Sequence, residues 1–303
     1  MPKNIPLPPQ LSLLFDAHGD VLTTAQLTAV VSRSVLRRLV RQGKLTPLWH
    51  GLYCRCEPTV ATKLAGLDVL YGVPVVPALG TAAGIHGFDT ERTSAIHILD
   101  PRNRHVHGYG GLVVHQRLGA PLVNVEGRLV TAPAWTAVEV ARELPRPRSL
   151  ATLDAALHVG ACTLVDLRIA ADEQSGRRGI CHVRELIEVA DGGADSPMES
   201  EARLVLLDAG LPRPTLQLPI LDRSGYARYF LDFGWEEALL GGEYDSDEFH
   251  SGPLALRRDR ARIGWLQDQG WLIVPITADD VRRRPDELVA RFRRHLIARL
   301  PAA

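Results

Sequence analysis

The pattern of apolar and polar positions over residues 7–55 predicts three short helices followed by a β-hairpin. The helices fall around residues 11–15, 25–31 and 35–41, and the hairpin occupies residues 45–53 with its turn at His50-Gly51. Thr23-Thr24 supplies the N-cap of the second helix. Three helices followed by a hairpin are the elements of a winged helix-turn-helix unit, which is the prediction for residues 1–57.

The third of these helices is strongly two-faced. Ser32 or Ser34 is expected to cap it, and Gly43 is expected to end it. Apolar side chains fall on one face at helical spacing, namely Val35, Leu36, Leu39 and Val40. Basic side chains gather on the opposite face, namely Arg33, Arg37, Arg38 and Arg41.

The remaining pattern predicts a mixed middle region, residues 58–194, and a third domain, residues 195–303. In the middle region, helices are predicted at 61–71, 81–86, 134–144, 149–158 and 164–171, and strands at 95–99 and 112–115. A glycine-rich stretch at 192–197 indicates a linker. Beyond it the pattern predicts a helix at 198–209, strands at 215–221, 226–233 and 239–244, a helix at 254–269, a strand at 271–276 and a helix at 285–300.

Composition changes this picture only locally. The chain has 303 residues with 35 basic and 35 acidic side chains, so its net charge gives no indication of a nucleic-acid partner. The stretch from Ser32 to Arg55 nevertheless contains six basic residues and no acidic one, and charge acts mainly over about 10 Å. With no long apolar run, no apolar leader segment and no CxxC pair, we expect a cytoplasmic protein with reduced cysteines.

The basic helix and the hairpin are the candidate DNA-binding surface. A helix can enter the major groove, where arginine donates to guanine edges and to phosphates. Hairpin side chains can then lie along the DNA backbone. The predicted contacts to double-stranded DNA are Arg33, Ser34, Arg37, Arg38, Arg41, Trp49, His50 and Tyr53. The alternative is a solvated cationic face on a small helical domain.

Acidic residues near the C-terminus carry the other candidate chemistry. Asp232 closes an apolar run and Glu243 follows eleven residues later, as expected for acids at the ends of neighbouring strands. Two such carboxylates are ligands for Mg²⁺ or Mn²⁺, and Glu199 is a candidate third acid. Asp245 or His250 would then orient the attacking water. The alternative is a group of solvated acids on a non-catalytic copy of the fold.

Two further metal sites are weaker candidates. His97, His105, His107 and His115 can converge on one metal, although loop and strand histidines without a ligand are the commoner outcome. Cys54 and Cys56 form a pair for which the sequence offers no second pair.

The N-terminal and middle motifs resemble AbiEi-type antitoxins, the DNA-binding partners in type IV toxin–antitoxin systems. The resemblance rests on Asp20–Leu27, on Arg37-Arg38 and on Trp49–Tyr53, together with Thr81–Gly87 within residues 81–144. It implies a winged helix-turn-helix, a DNA operator and a cognate toxin protein.

The C-terminal residues resemble a domain related to very-short-patch-repair endonucleases, in the PD-(D/E)xK superfamily. The matching series is Ser196–Glu199, Ala209–Pro212, Asp232, Glu243–Asp245, His250, Arg257, Asp259, Arg262 and Gly270-Trp271. The resemblance implies a restriction-endonuclease-like mixed sheet flanked by helices, with its metal on Asp232 and Glu243. Asp245 stands where such nucleases carry a catalytic lysine, and Ser246 stands where relatives have glycine.

Three functional hypotheses follow, in this order. The first is a DNA-binding transcriptional regulator of antitoxin type whose nuclease-like domain is degenerate. The second is a metal-dependent DNA endonuclease targeted by the winged helix. The third is an adaptor whose C-terminal domain binds a toxin protein.

Overall fold

The computed structural model describes residues 7–101, 108, 110–116, 119–245 and 253–300. These residues form two compact units. The first unit takes in the chain up to Ile85 together with Glu91–Ala132, and the second takes in His86–Thr90 and the chain from Pro133 onward.

The described helices are α1 (Pro9–His18), α2 (Thr24–Val30), α3 (Arg33–Arg41), α4 (Val60–Tyr71), α5 (Leu79–Ile85), α6 (Pro133–Glu143), α7 (Arg146–His158), α8 (Leu164–Glu173), α9 (Ile180–Ile187), α10 (Pro197–Asp208), α11 (Pro253–Asp268), α12 (Ala278–Arg282) and α13 (Pro285–Arg299). The described strands are β1 (Val21–Thr23), β2 (Thr46–Trp49), β3 (Leu52–Cys54), β4 (Ile96–Leu99), β5 (Leu112–His115), β6 (Leu122–Val125), β7 (Arg128–Thr131), β8 (Thr215–Leu221), β9 (Ala227–Trp235), β10 (Leu240–Tyr244) and β11 (Leu272–Ile276). None of the described helices combines the length and the apolar character that a membrane span requires.

A three-stranded antiparallel sheet, in the order β1-β3-β2, lies at the centre of the first unit. One face of this sheet packs on α1, α2 and α3 through a core that includes Leu22 and Phe15. The other face packs on α4, β4 and β5 through a core that includes Val21, Leu52 and Cys54. Adjacent residues of β1 therefore point into different cores, as the two-residue period of a strand requires.

Two small strand pairs complete the first unit. β4 and β5 are parallel, and β6 and β7 form an antiparallel hairpin. Glu126 and Gly127 turn this hairpin with φ values of +50° and +86°. The side chain of Asn124 supports the turn by accepting the Gly127 N–H at 2.8 Å. A non-glycine residue at positive φ is uncommon, and this turn is absent from the predicted pattern.

The second unit combines a helical group, α6 to α10, with a four-stranded mixed sheet in the order β11-β10-β9-β8. β8, β9 and β10 run antiparallel, whereas β11 is parallel to β10 and follows it by way of α11. One face of the sheet packs on α10, α12 and α13 around Phe233 and Phe292. The other face packs on α11 around Leu231 and Leu266.

A fully buried ion pair joins α7 to α10. Arg203 Nη2 donates to Asp154 Oδ2 at 2.6 Å, and the two side chains are 0% and 1% exposed. The remaining hydrogen bonds reach the turn before α10, where Arg203 Nη1 donates to the Val189 carbonyl and the Asp191 N–H donates to Asp154 Oδ1. Burial raises the pKa of Asp154, and Arg203 opposes that rise.

The predicted mixed α/β multidomain organisation is confirmed, and the predicted elements lie within a few residues of the observed ones. The sequence pattern did not predict β1, β6, β7, α9 or α12. The stretch expected to be a linker is closely packed within the second unit. A Cβ atom on Gly192 would lie 3.0 Å from the backbone of Leu157, and one on Gly193 would lie 3.1 Å from Leu216. The domain boundaries at 57 and 194 stay predictions.

Replacing Arg203 with methionine should reduce the free energy of unfolding by about 3–5 kcal/mol, because it leaves the Asp154 carboxylate buried without its cation. The double variant Arg203→Met/Asp154→Leu should recover most of that loss. Urea unfolding followed by circular dichroism measures both values. A loss below about 1 kcal/mol in the single variant, the range of an exposed ion pair, would show that the pair does not hold the helices together.

Candidate functional site

Helix α3 has the ends and the buried face that the sequence predicts. Ser32 caps it by accepting the Val35 N–H at 3.4 Å. At the other end Gly43 takes a φ of +66°, and the Lys44 N–H donates to the Leu39 carbonyl at 2.9 Å. This 6→1 bond is the Schellman ending, in which glycine removes the steric cost of the left-handed residue.

A groove of about 960 Å³ lies between α3 and the β2–β3 hairpin. Arg33, Arg37 and Arg41 recur at every fourth residue along α3 and line it, together with Ser34 and Tyr53. All three arginines are exposed, and none makes an ion pair within the part of the chain that the structure describes. A stripe of uncompensated guanidinium groups beside a groove can bind an anion as extended as a phosphate backbone.

The other predicted DNA contacts lie elsewhere. Arg38 is exposed on α3 but does not line the groove, and His50 is exposed at the tip of the hairpin. Trp49 is only 7% exposed and belongs to the core between the three-stranded sheet and α4. Its indole N–H donates to the Lys63 carbonyl at 3.2 Å. Burial therefore removes Trp49 from the surface on which the sequence pattern placed it.

Arg55 is the member of the basic stretch whose positive charge is paired with acidic side chains. The Arg55 guanidinium donates to Asp16 at 2.7 Å and to Asp20 at 2.9 Å, and it lies 5.5 Å above the ring of Phe15. These acids precede the basic stretch in sequence, so a local count of charges does not include them. The uncompensated charge is therefore concentrated on α3.

In the second unit, α10, β9 and β10 bring three predicted acids together. Asp232 on β9 and Glu243 on β10 line a pocket of about 350 Å³, together with Asp245. Glu199 on α10 lies close enough for Asp232 to act on its charge. Asp232 and Glu243 lie on neighbouring strands, but Asp232 lies within β9 rather than at the strand end where the sequence pattern placed it.

Glu199 is the third residue of α10 and folds back over the start of its own helix. Its Oε1 accepts the Ser196 hydroxyl at 2.7 Å, and its Oε2 accepts the Asp195 N–H at 3.0 Å. The Ser196 hydroxyl oxygen in turn accepts the Glu199 N–H. The two side chains thus pair with N–H groups at the start of the helix in the manner of a capping box. Burial, followed by repulsion from Asp232, raises the pKa of Glu199 to about 7 against the opposing effect of these hydrogen bonds.

The Asp232 side chain is hydrogen-bonded by residues of the two neighbouring strands, β10 and β8. Its Oδ2 accepts the Tyr244 N–H of β10 at 2.8 Å. Gln217 on β8 has a left-handed backbone conformation, with φ at +45°. Its side-chain amide donates to Glu199 Oε2 at 3.4 Å and is also hydrogen-bonded to Asp232. Burial raises the pKa of Asp232, and the Tyr244 amide, Arg262 and Gln217 oppose that rise. Gln217 was not predicted as part of this site, because no local sequence signal marks a glutamine at positive φ inside a strand.

Glu243 is paired with Arg262 of α11. Arg262 Nη1 donates to Glu243 Oε2 at 2.6 Å, and Nη2 makes ion-pair contact with Oε1 outside hydrogen-bond geometry. Burial raises the pKa of Glu243, and Arg262 opposes that rise. The sequence placed Arg262 in a family motif without assigning it this partner.

The acids do not fit a divalent metal as they are arranged. The oxygens of Glu199 and Glu243 already face protein donors or cations. Within the described ranges, no three or more His, Cys, Asp or Glu side chains are grouped to hold a metal ion. Asp245 is exposed, and its backbone N–H donates to the Ile276 carbonyl. His250, predicted to orient a water, lies outside the described residues.

The other predicted ligand clusters are partly visible. His97 Nδ1 and His115 Nε2 lie 2.9 Å apart across β4 and β5, with the rings stacked. His105 and His107 lie outside the described residues. Cys54 is buried at the end of β3 and donates its Sγ hydrogen to the Cys56 carbonyl. Burial raises the pKa of Cys54 to about 11, which disfavours the thiolate that a metal requires.

The Glu199→Gln variant should lose the pH dependence that Glu199 gives to folding. Because the folded-state pKa of about 7 exceeds the ordinary 4.5, the contribution of Glu199 to stability is complete below pH 4.5 and is lost as the pH rises through 7. The loss amounts to about 3 kcal/mol at most. Urea unfolding of both proteins at pH 5 and pH 8 measures it, and equal pH dependence in the two proteins would contradict the assignment.

Comparison with known proteins finds a family-model match in the middle of the chain. Residues 75–189 match the family model described as AbiEi antitoxin C-terminal domain. The matched stretch runs from α5 to α9 and includes β4 to β7. The match supports the resemblance to AbiEi-type antitoxins that the sequence motifs indicated.

Similarity to two Mycobacterium tuberculosis proteins extends over most of the chain. Uncharacterized protein MT2308 of strain CDC 1551 / Oshkosh and uncharacterized protein Rv2248 of strain ATCC 25618 / H37Rv are each 53% identical over 266 residues, which is 88% of this chain and 97% of theirs. Among solved structures, the crystal structure of RV2827C protein from Mycobacterium tuberculosis is similar with a TM-score of 0.42 and 20% identity, covering 69% of this chain and 82% of that one. The chain therefore belongs to the family of MT2308 and Rv2248, with an AbiEi antitoxin C-terminal domain match over its residues 75–189.

Proposed function

We propose that this protein is a DNA-binding regulator of antitoxin type. It binds double-stranded DNA through α3 and the β2–β3 hairpin, which act as the recognition helix and the wing of a winged helix-turn-helix. The observation that carries the proposal is the stripe formed by Arg33, Arg37 and Arg41, exposed along the groove without ion-pair partners among the described residues.

The geometry of α3 suits the major groove of DNA. Its buried face packs on α1 and α2, so the charged face is held outward on a fixed support. Arginines at every fourth residue rise about 6 Å per step along a helix, which lets neighbouring side chains reach successive phosphates or guanine edges. Tyr53 and His50 on the hairpin would lie along the DNA backbone beside it.

The AbiEi antitoxin match supports a role in a toxin–antitoxin system. In this proposal the protein represses its own operon and has a cognate toxin protein as its second partner. The middle region, which carries the match, is the part that we expect to define the system to which the regulator belongs.

We further propose that the C-terminal part has a restriction-endonuclease-like fold without hydrolytic activity. The mixed sheet between α11 on one face and α10, α12 and α13 on the other supports the fold. The engagement of Glu199 and Glu243 by protein groups argues against hydrolysis, as does an acid, Asp245, where a nuclease places lysine.

The double variant Arg37→Ala/Arg41→Ala should weaken binding to DNA from upstream of the gene and lower the log–log salt slope by about two units, because each phosphate contact contributes about 0.9. The control is Arg178→Ala/Arg294→Ala, which removes two exposed arginines elsewhere and should leave the slope unchanged. Fluorescence anisotropy at four salt concentrations measures both. An unchanged slope in the α3 variant would remove this helix from the interface.

Labelled upstream DNA should be shifted in EDTA without any need for Mg²⁺ or Mn²⁺, and it should stay uncut with or without these ions. The reason is that the acids of the second unit are engaged by protein donors rather than free to hold a metal. Gel mobility and strand cleavage are read from the same incubation. Metal-dependent cuts that disappear in Asp232→Ala would establish an endonuclease instead of a regulator.

A further inference from the structure

The side chain of Arg262 is fixed on three sides. Nη1 donates to Glu243 on β10 at 2.6 Å, and Nη2 donates to the Phe230 carbonyl of β9 at 2.7 Å. The guanidinium carbon also lies 5.6 Å from the centre of the Tyr229 ring, within the range of a cation–π contact. One residue of α11 thus joins this helix to two adjacent strands.

The charge of Arg262 acts on both strand acids. Burial raises the pKa of Glu243 and of Asp232. Arg262 opposes this rise, through a direct hydrogen bond to Glu243 and through space for Asp232. Asp259, one turn earlier on α11, adds a further negative charge near Glu243. Arg262 therefore lies among the negative charges of Glu243, Asp232 and Asp259, which would also attract an external cation.

Glu199 and Asp232 also accept hydrogen bonds from groups of the protein. Glu199 accepts the Ser196 hydroxyl and the Asp195 N–H, while Asp232 accepts the Tyr244 N–H. A divalent ion would have to displace Arg262 from Glu243 and then share a partly buried pocket with it, since α11 keeps the guanidinium nearby. Like charges in such a pocket repel strongly.

We propose that Arg262 is the built-in cation of this acidic cluster, occupying the place that Mg²⁺ or Mn²⁺ would take in a metal-dependent nuclease. The positive charge that holds β9, β10 and α11 together is therefore covalently part of the chain. The proposal goes beyond DNA binding by α3 and is independent of it, so the two can fail separately.

The test compares Mn²⁺ binding by the full-length wild type and by Arg262→Met. Electron paramagnetic resonance of free Mn²⁺ should detect no saturable site in the wild type. Removal of the competing charge should give Arg262→Met about one Mn²⁺ site per chain. Its affinity for Mn²⁺ should be at least about tenfold higher than that of any residual, unsaturated binding by the wild type. Asp232→Asn in the Arg262→Met background should abolish that site.

Thermal unfolding provides a second readout that does not require the variant to be folded in the absence of metal. Mn²⁺ should raise the unfolding midpoint of Arg262→Met, or restore its circular dichroism spectrum, because a ligand that binds the folded state stabilises it. The matched control is Arg262→Met/Glu243→Gln, which removes one charge of each sign and should not respond to Mn²⁺.

Two results would overturn the proposal. Saturable Mn²⁺ binding by the wild type that Asp232→Asn removes would mean that the acids hold a metal despite Arg262. The absence of any Mn²⁺ effect on Arg262→Met, in binding and in unfolding alike, would mean that the cluster needs no cation in that position. DNA binding measured on the same samples shows whether α3 functions independently of either result.

Discussion

The buried pair of Asp154 and Arg203 is the interaction on which the second unit depends. It ties α7 to α10 and to the turn between α9 and α10, in a region where an unpaired charge would be very costly. Arg203 lies one helical turn beyond Glu199 on α10. The pair that fixes α10 therefore also fixes the position of Glu199 beside the mixed sheet, so that packing and site geometry have the same origin.

The two candidate sites treat charge in opposite ways. On α3 the arginines are exposed and lack ion-pair partners within the described residues, which suits them to an external polyanion. In the second unit each acid faces a donor or a cation supplied by the chain itself. A net charge of zero for the whole chain conceals this separation. The protein thus has one surface with arginines that lack ion-pair partners among the described residues, and one acidic cluster whose carboxylates are bonded by groups of the chain.

Local pattern was enough to predict the elements whose formation is local. Helix α3 was predicted with its cap and its glycine ending because spacing, Ser32 and Gly43 all act within a few residues. β1 was missed because three residues show no period, and the β6–β7 hairpin was missed because Glu126 takes a positive φ that its residue type does not indicate. In the acidic cluster, sequence supplied Glu199, Asp232 and Glu243. It did not supply the Arg262 partner or the place of Gln217, because both depend on how distant strands pack.

The three-stranded sheet of the first unit makes the N-terminal helices and hairpin depend on the residues that follow them. Because Val21, Leu52 and Cys54 face α4 while their neighbours face α1 to α3, a chain cut at residue 57 would expose an apolar surface to water. Helix α4 thus packs against the face of the sheet opposite α1 to α3 and shares its core with the β2–β3 hairpin. The hairpin that packs on α4 also lines one side of the groove beside Arg33, Arg37 and Arg41, so the shape of that groove depends on the packing of α4.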